Sequence, residues 1–120
     1  MKKASSLFII LVCAIACSKS DMVEPEDIPQ WLKTEIQNME SQMFEDLHSM
    51  HHNAAWIRYT YKNNFHYEYY SPLMSSFPEP YDEARAHAFL DPSMLETYRS
   101  ERKNKKYVWK GPQFKEIDNF

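Results

Sequence analysis

Hydrophobic positions along the chain fall into an N-terminal run, a helical stripe, a pair of alternating stretches and a short C-terminal strand, with polar or proline-rich breaks between them. From Pro29, which suits a first helical position, Leu32, Ile36, Met39, Met43, Leu47 and Met50 recur at steps of three and four. That spacing predicts an amphipathic helix closed near Asn53. Trp56 to Tyr70 is rich in β-formers and alternates around Asn63-Asn64, which predicts a hairpin. A two-residue Asn63-Asn64 turn would set Tyr61 opposite His66 and Ile57 opposite Tyr70, splitting the apolar side chains between the two faces. A three-residue loop, Lys62-Asn63-Asn64, would pair Tyr61 with Phe65, Tyr59 with Tyr67 and Ile57 with Tyr69. All six then share one face, so the second register is expected, with Asn64 near the left-handed region and Arg58 opposite Glu68.

Ser71 to Pro80 carries three prolines and no period, and reads as a connecting loop. Tyr81 to Leu90 is alanine-rich and predicts a short helix, and Pro92 to Lys103 a second one after Asp91. Tyr107 to Lys110 reads as a third strand stopped by Gly111-Pro112. The expected fold class is α+β, a small three-stranded antiparallel sheet covered by two or three helices. The aromatic face of the hairpin would pack on the Met/Leu stripe of the first helix.

Composition narrows the chemistry. The 120 residues contain one glycine, Gly111, so a phosphate-cradling loop, a dinucleotide fingerprint or a nucleophile elbow cannot be built. Aromatic residues make up 15%, and the ladder Tyr59, Tyr61, Phe65, Tyr67 and Tyr69 could be a stacking platform for sugars or an unfolded peptide, with packing into the core the expected alternative. Without residues 1–16 the chain has 12 Lys and Arg against 17 Asp and Glu, a net of −5. A nucleic-acid partner is therefore not expected. Acids crowd residues 24–46 and bases residues 99–110, an asymmetry that would complement helix dipoles.

The N-terminus predicts export. Lys2 and Lys3 precede an apolar run of ten, Leu7 to Ala16, too short for a transmembrane helix and of the right length for a signal peptide. Ala14-Ile15-Ala16-Cys17 resembles a bacterial lipobox, with Ala14 where leucine is usual. The resemblance implies that Cys17 is acylated, by chains such as palmitate, and becomes the mature N-terminus. Ser18 after it is similar to the signal for outer-membrane sorting. With Cys13 lost in the signal, no thiol would remain for a disulfide or a zinc–thiolate site. The expected organisation is a signal peptide at 1–16, a lipidated cysteine and acidic tether at 17–28, and one small domain at 29–120. Ile28-Pro29-Gln30-Trp31-Leu32 at a helix start, followed by the tyrosine-rich hairpin, resembles small uncharacterised lipoproteins of Bacteroidetes. That likeness spans about residues 1–72; it implies a cell-envelope location and supplies no catalytic residues.

Two constellations are candidates for binding. His48, His51 and His52 crowd the predicted helix end, and His48 and His52, four apart, would share a face that could hold zinc or nickel with His66 or His87 as a further ligand. Solvated histidines at a helix C-terminus explain the same pattern. On the hairpin, Trp56 and Tyr70 would stand together on the exposed face, a candidate ligand pair. No spacing organises a Ser/His/Asp triad or a carboxylate pair, so catalysis is not expected. The sequence leads to a lipid-anchored envelope protein that binds another protein or a glycan. Its rivals are a metal-handling lipoprotein and an inhibitor or accessory subunit of an envelope enzyme.

Overall fold

Helix α1 (Gln30–Glu45) begins where Pro29 can offer a carbonyl without needing an N–H, and that oxygen accepts from the amides of Leu32 and Lys33. The computed structural model describes residues 21–74, 78–89 and 91–116. Leu32, Met39 and Met43 of the predicted stripe are buried and Ile36 is half-buried. The helix is shorter than its stripe. Asp46 turns extended after Glu45 and its carboxylate takes the His48 amide at 2.9 Å, while Ser49 Oγ takes the amide of His51. These local bonds compete with helix continuation. Leu47 is left 82% exposed, and Met50–Asn53 forms a separate 3₁₀ turn.

The hairpin forms, in a register neither turn predicts. Lys62 and Asn63, at φ 49° and 65°, join β1 (Ala55–Tyr61) to β2 (Asn64–Tyr70). Two left-handed residues in a two-residue loop make a type I′ turn, whose twist suits antiparallel strands. Tyr61 faces Asn64, Tyr59 faces His66, Ile57 faces Glu68 and Trp56 faces Tyr69. The aromatic ladder is therefore split. Tyr59 and Tyr61 lie on one face with His66 and Glu68, and Tyr67 and Tyr69 on the other with Trp56 and Arg58. Splitting costs little because both faces are covered. Leu32 and Met39 of α1 pack with Val23, Trp56, Tyr67 and Val108 on one side. On the other, Ile57 and Tyr59 pack with Ala55 and Tyr107, against Tyr70 and Phe114. Tyr98 of α2 (Pro92–Glu101) lies 5.3 Å from the Tyr61 ring on that second side.

Strand β3 (Lys103–Lys110) pairs antiparallel with the far edge of β1, giving the order β2-β1-β3. Trp56 faces Trp109 and Ile57 faces Tyr107, so Val108 is an extra residue in a bulge. The expected three-stranded α+β sheet is present, and β3 begins four residues earlier than the Tyr107–Lys110 pattern suggests. Residues 21–23 lie along the outer edge of β3, the amide of Val23 on the Tyr107 carbonyl at 2.8 Å, with Val23 buried.

The predicted helix over 81–90 is absent over its described residues, 81–89. Tyr81 instead exchanges both backbone bonds with Tyr67 at 2.9 Å, covering the free edge of β2. Asp82 Oδ1 accepts the amides of Ala84 and Ala86 at 2.8 and 2.9 Å, and Arg85 sits at φ 68°. An aspartate turn and an edge pairing together outweigh alanine propensity. Helix α2 starts at the expected place because Asp91 caps it, its carboxylate taking the Ser93 amide at 2.9 Å.

An aromatic cleft between the first helix and the sheet

Residues four apart on α1, Trp31, Glu35 and Met39, form one wall of a cleft of about 220 Å³. Trp56 and Tyr69, a cross-strand pair, form its floor, and Tyr81 and Arg85 of the 81–87 turn close the side. His51 of the 3₁₀ turn completes it. The rings meet at steep angles. Trp31 stands 5.9 Å from Trp56 at 78° and 6.0 Å from Tyr81 at 55°, and Trp56 stands 5.6 Å from Tyr69 at 62°. The result is a box of ring faces and edges rather than a flat platform. Trp31 is held by its indole N–H, which donates to the Glu83 carbonyl at 2.8 Å, and Trp56 by an N–H on the Met39 sulfur at 3.2 Å.

Polar groups sit at the mouth and the far wall. Arg85 and Glu35 form an ion pair of 3.4 Å at the mouth, and the guanidinium lies 5.8 Å from the Trp31 ring centre. On the wall, His51 joins Gln42 Oε1 at 3.0 Å and the Tyr69 hydroxyl at 2.7 Å. With Oε1 accepting, Nε2 carries the proton and Nδ1 accepts from the tyrosine. Burial lowers the His51 pKa below 6.5, against an upward pull from Glu35 and with a smaller downward one from His52. Burial also pushes the Tyr69 hydroxyl up to about 12. At neutral pH both groups are uncharged, which leaves Glu35 and Arg85 as the charges of the cleft.

The other histidines do not converge with His51. His48 is exposed, outside the helix whose face it was expected to share with His52, and His52 Nε2 turns to the Asp46 carbonyl at 3.3 Å. His66 is buried on the far face of the sheet, stacked on Phe89, and His87 pairs with Glu79 at 3.1 Å. Among the described residues no group of three or more His, Cys, Asp or Glu side chains is placed to hold a metal ion.

The Trp56–Tyr70 pair is corrected by the register: Trp56 faces Tyr69, and Tyr70 faces Ala55 on the opposite side of the sheet. Trp56 is also buried, at 4% exposure, with Tyr69 and Tyr81 reaching the surface around it. The face expected to be solvated carries Glu68, fully buried. Its carboxylate takes one Arg102 guanidinium nitrogen at 2.6 and 2.5 Å and the Tyr98 hydroxyl at 2.6 Å, and the guanidinium lies 4.1 Å from the Tyr59 ring centre. Burial, then the Glu68 charge, raises the Tyr98 hydroxyl far above its ordinary value, so it stays a donor. The expected Arg58–Glu68 pairing is not made; Arg58 lies 3.9 Å from the Phe65 ring centre.

Cys17 and residues 1–16, read from the sequence as a signal peptide, lie outside the described residues, and among those residues no helix is long and apolar enough to cross a membrane. Compared with protein families, with curated proteins and with solved structures, the chain matches none.

Proposed function

We propose that the chain is a lipid-anchored cell-envelope protein without catalytic activity, held to the membrane through Cys17, and that its domain binds a partner through the aromatic cleft. The aromatic cleft is the observation that supports binding. Large rings, one buried and three half-buried, around a pocket with one ion pair at its mouth are the composition of an interaction hot spot. A buried charge network centred on Glu68 has its oxygens already occupied and is walled by aromatic rings, which supports a structural role for it. The anchor rests on the Ala14-Ile15-Ala16-Cys17 pattern and its resemblance to a lipobox.

A partner, rather than a free sugar, fits the geometry better. Sugar binding favours a ring face lying flat and open, whereas these rings tilt against each other by 53° to 78°. The test is photo-crosslinking in living cells, with a crosslinking residue at position 42, beside His51, or at position 101, the exposed end of α2. A discrete adduct from position 42 and none from position 101 is expected. Equal adducts from both positions, or none from position 42, would contradict the cleft as the binding site.

A further inference from the structure

The cleft already holds a cation. Arg85 places its guanidinium near the Trp31 ring and against Glu35, while its side chain remains 57% exposed. It does so from φ 68°, a left-handed backbone that costs a non-glycine residue energy and that the Asp82 turn maintains. Ring faces with one carboxylate at the rim are the chemistry of an organic-cation site. An exposed ion pair of this kind is a weak closure that an incoming cation can replace. A larger groove of about 600 Å³ adjoins the cleft, sharing Tyr69 and Tyr81 and adding Met74, Glu79 and Leu95. It gives room for a chain continuing beyond a single side chain.

We propose that the cleft takes the guanidinium of an arginine in an extended segment of a partner protein, and that Arg85 stands in for it in the free protein. This assignment rests on the binding role proposed above and names its ligand chemistry. Glu35 would exchange Arg85 for the incoming arginine, the Trp31 and Tyr81 rings would flank it, and the flanking residues of the partner would follow the adjoining groove. No covalent step is involved.

Two of the three tryptophans, Trp31 and Trp56, line the cleft, so tryptophan emission reports its occupancy. The full chain in detergent would be titrated at constant ionic strength with a capped Ala-Arg-Ala peptide. Its citrulline counterpart, which keeps the shape and loses the charge, and methylguanidinium would be titrated beside it. The arginine peptide is expected to saturate, more tightly than methylguanidinium, with the citrulline peptide at least tenfold weaker. Arg85→Gln, which removes the resident cation at an exposed site, should tighten the arginine peptide by about five- to tenfold. Glu35→Gln should weaken it by a similar factor.

Equal binding of the citrulline peptide would overturn the cation assignment. Methylguanidinium binding as tightly as the peptide would overturn the partner segment in favour of a free small cation. Unchanged or weaker binding in Arg85→Gln would overturn the stand-in role. A flat titration with the position-42 adduct retained removes arginine as the ligand and keeps the binding role; loss of both removes both.

Discussion

The observed register carries Glu68 onto a covered face of the sheet. It sits in a strand of tyrosines, and in the observed pairing it turns inward, where its bonds to Arg102 and Tyr98 make its burial tolerable. Breaking a buried pair leaves an uncompensated charge, a cost of about 3–5 kcal/mol. Arg102→Met should therefore lower stability to urea by that amount, and adding Glu68→Gln, which keeps an acceptor for Tyr98, should restore much of it. An unchanged midpoint for Arg102→Met would show that the pair contributes nothing. His66 carries a second expectation. Burial lowers its pKa below 6.5, against upward pulls from the backbone at Asn64 and from Asp82, Glu68 and Glu83, and its Nδ1 has no partner among the described residues. The unfolded chain then binds the proton first, so this contribution is complete above pH 6.5 and is lost as the pH falls below it. Thermal unfolding should show a falling Tm from pH 6.5 to 5, with a shallower fall in His66→Phe; the lowered His51 adds the remainder. The same slope in the variant would contradict it.

At the scale of the element, Gly111 joins β3 to the turn that carries His51. A Cβ there would stand 2.4 Å from the His51 carbonyl oxygen and 2.6 Å from that of His52, both backbone. The amide of Gly111 donates to Ala54 at 2.8 Å, so the strand end cannot retreat freely. Gly111→Ala should cost about 1–3 kcal/mol in urea unfolding and alter tryptophan emission through the shifted His51. A neutral substitution would show that the approach is not tight. The first helix was legible because its stripe points at a single partner, the sheet. Its end was not, because Asp46 and Ser49 stop it through local bonds that leave the hydrophobic spacing unbroken. The hairpin was legible as an element, and its register was not. Aromatic residues occupy both parities of Trp56 to Tyr70, and choosing between registers required knowing that α2 and Phe114 cover the second face. The cleft followed the same division. Trp31, Glu35 and Met39 lie one turn apart on a readable helix, whereas Tyr69, Tyr81 and Arg85 enter through the register and through a turn that alanine propensity disguises.

For the whole molecule, the placement of the cleft and the placement of the chain are separate matters. The domain is a sheet with a core on each face, and the cleft opens between α1 and the β2 edge. Residues 21–23 are fastened along β3, at the other edge of the sheet from β2. A tether emerging there would leave the cleft clear of the proposed attachment at Cys17, as the proposed binding role requires. Cys17→Ala should move the chain from the membrane fraction to the soluble one without changing its Tm. A variant that stays with the membrane would mean that something other than Cys17 holds it.

The anchored reading is tested most directly by the intact mass of the mature protein taken from the membrane fraction. A chain beginning at Cys17 and heavier than the bare peptide by the mass of lipid groups on that residue is the expected result. An unmodified chain, or one beginning elsewhere, would contradict it.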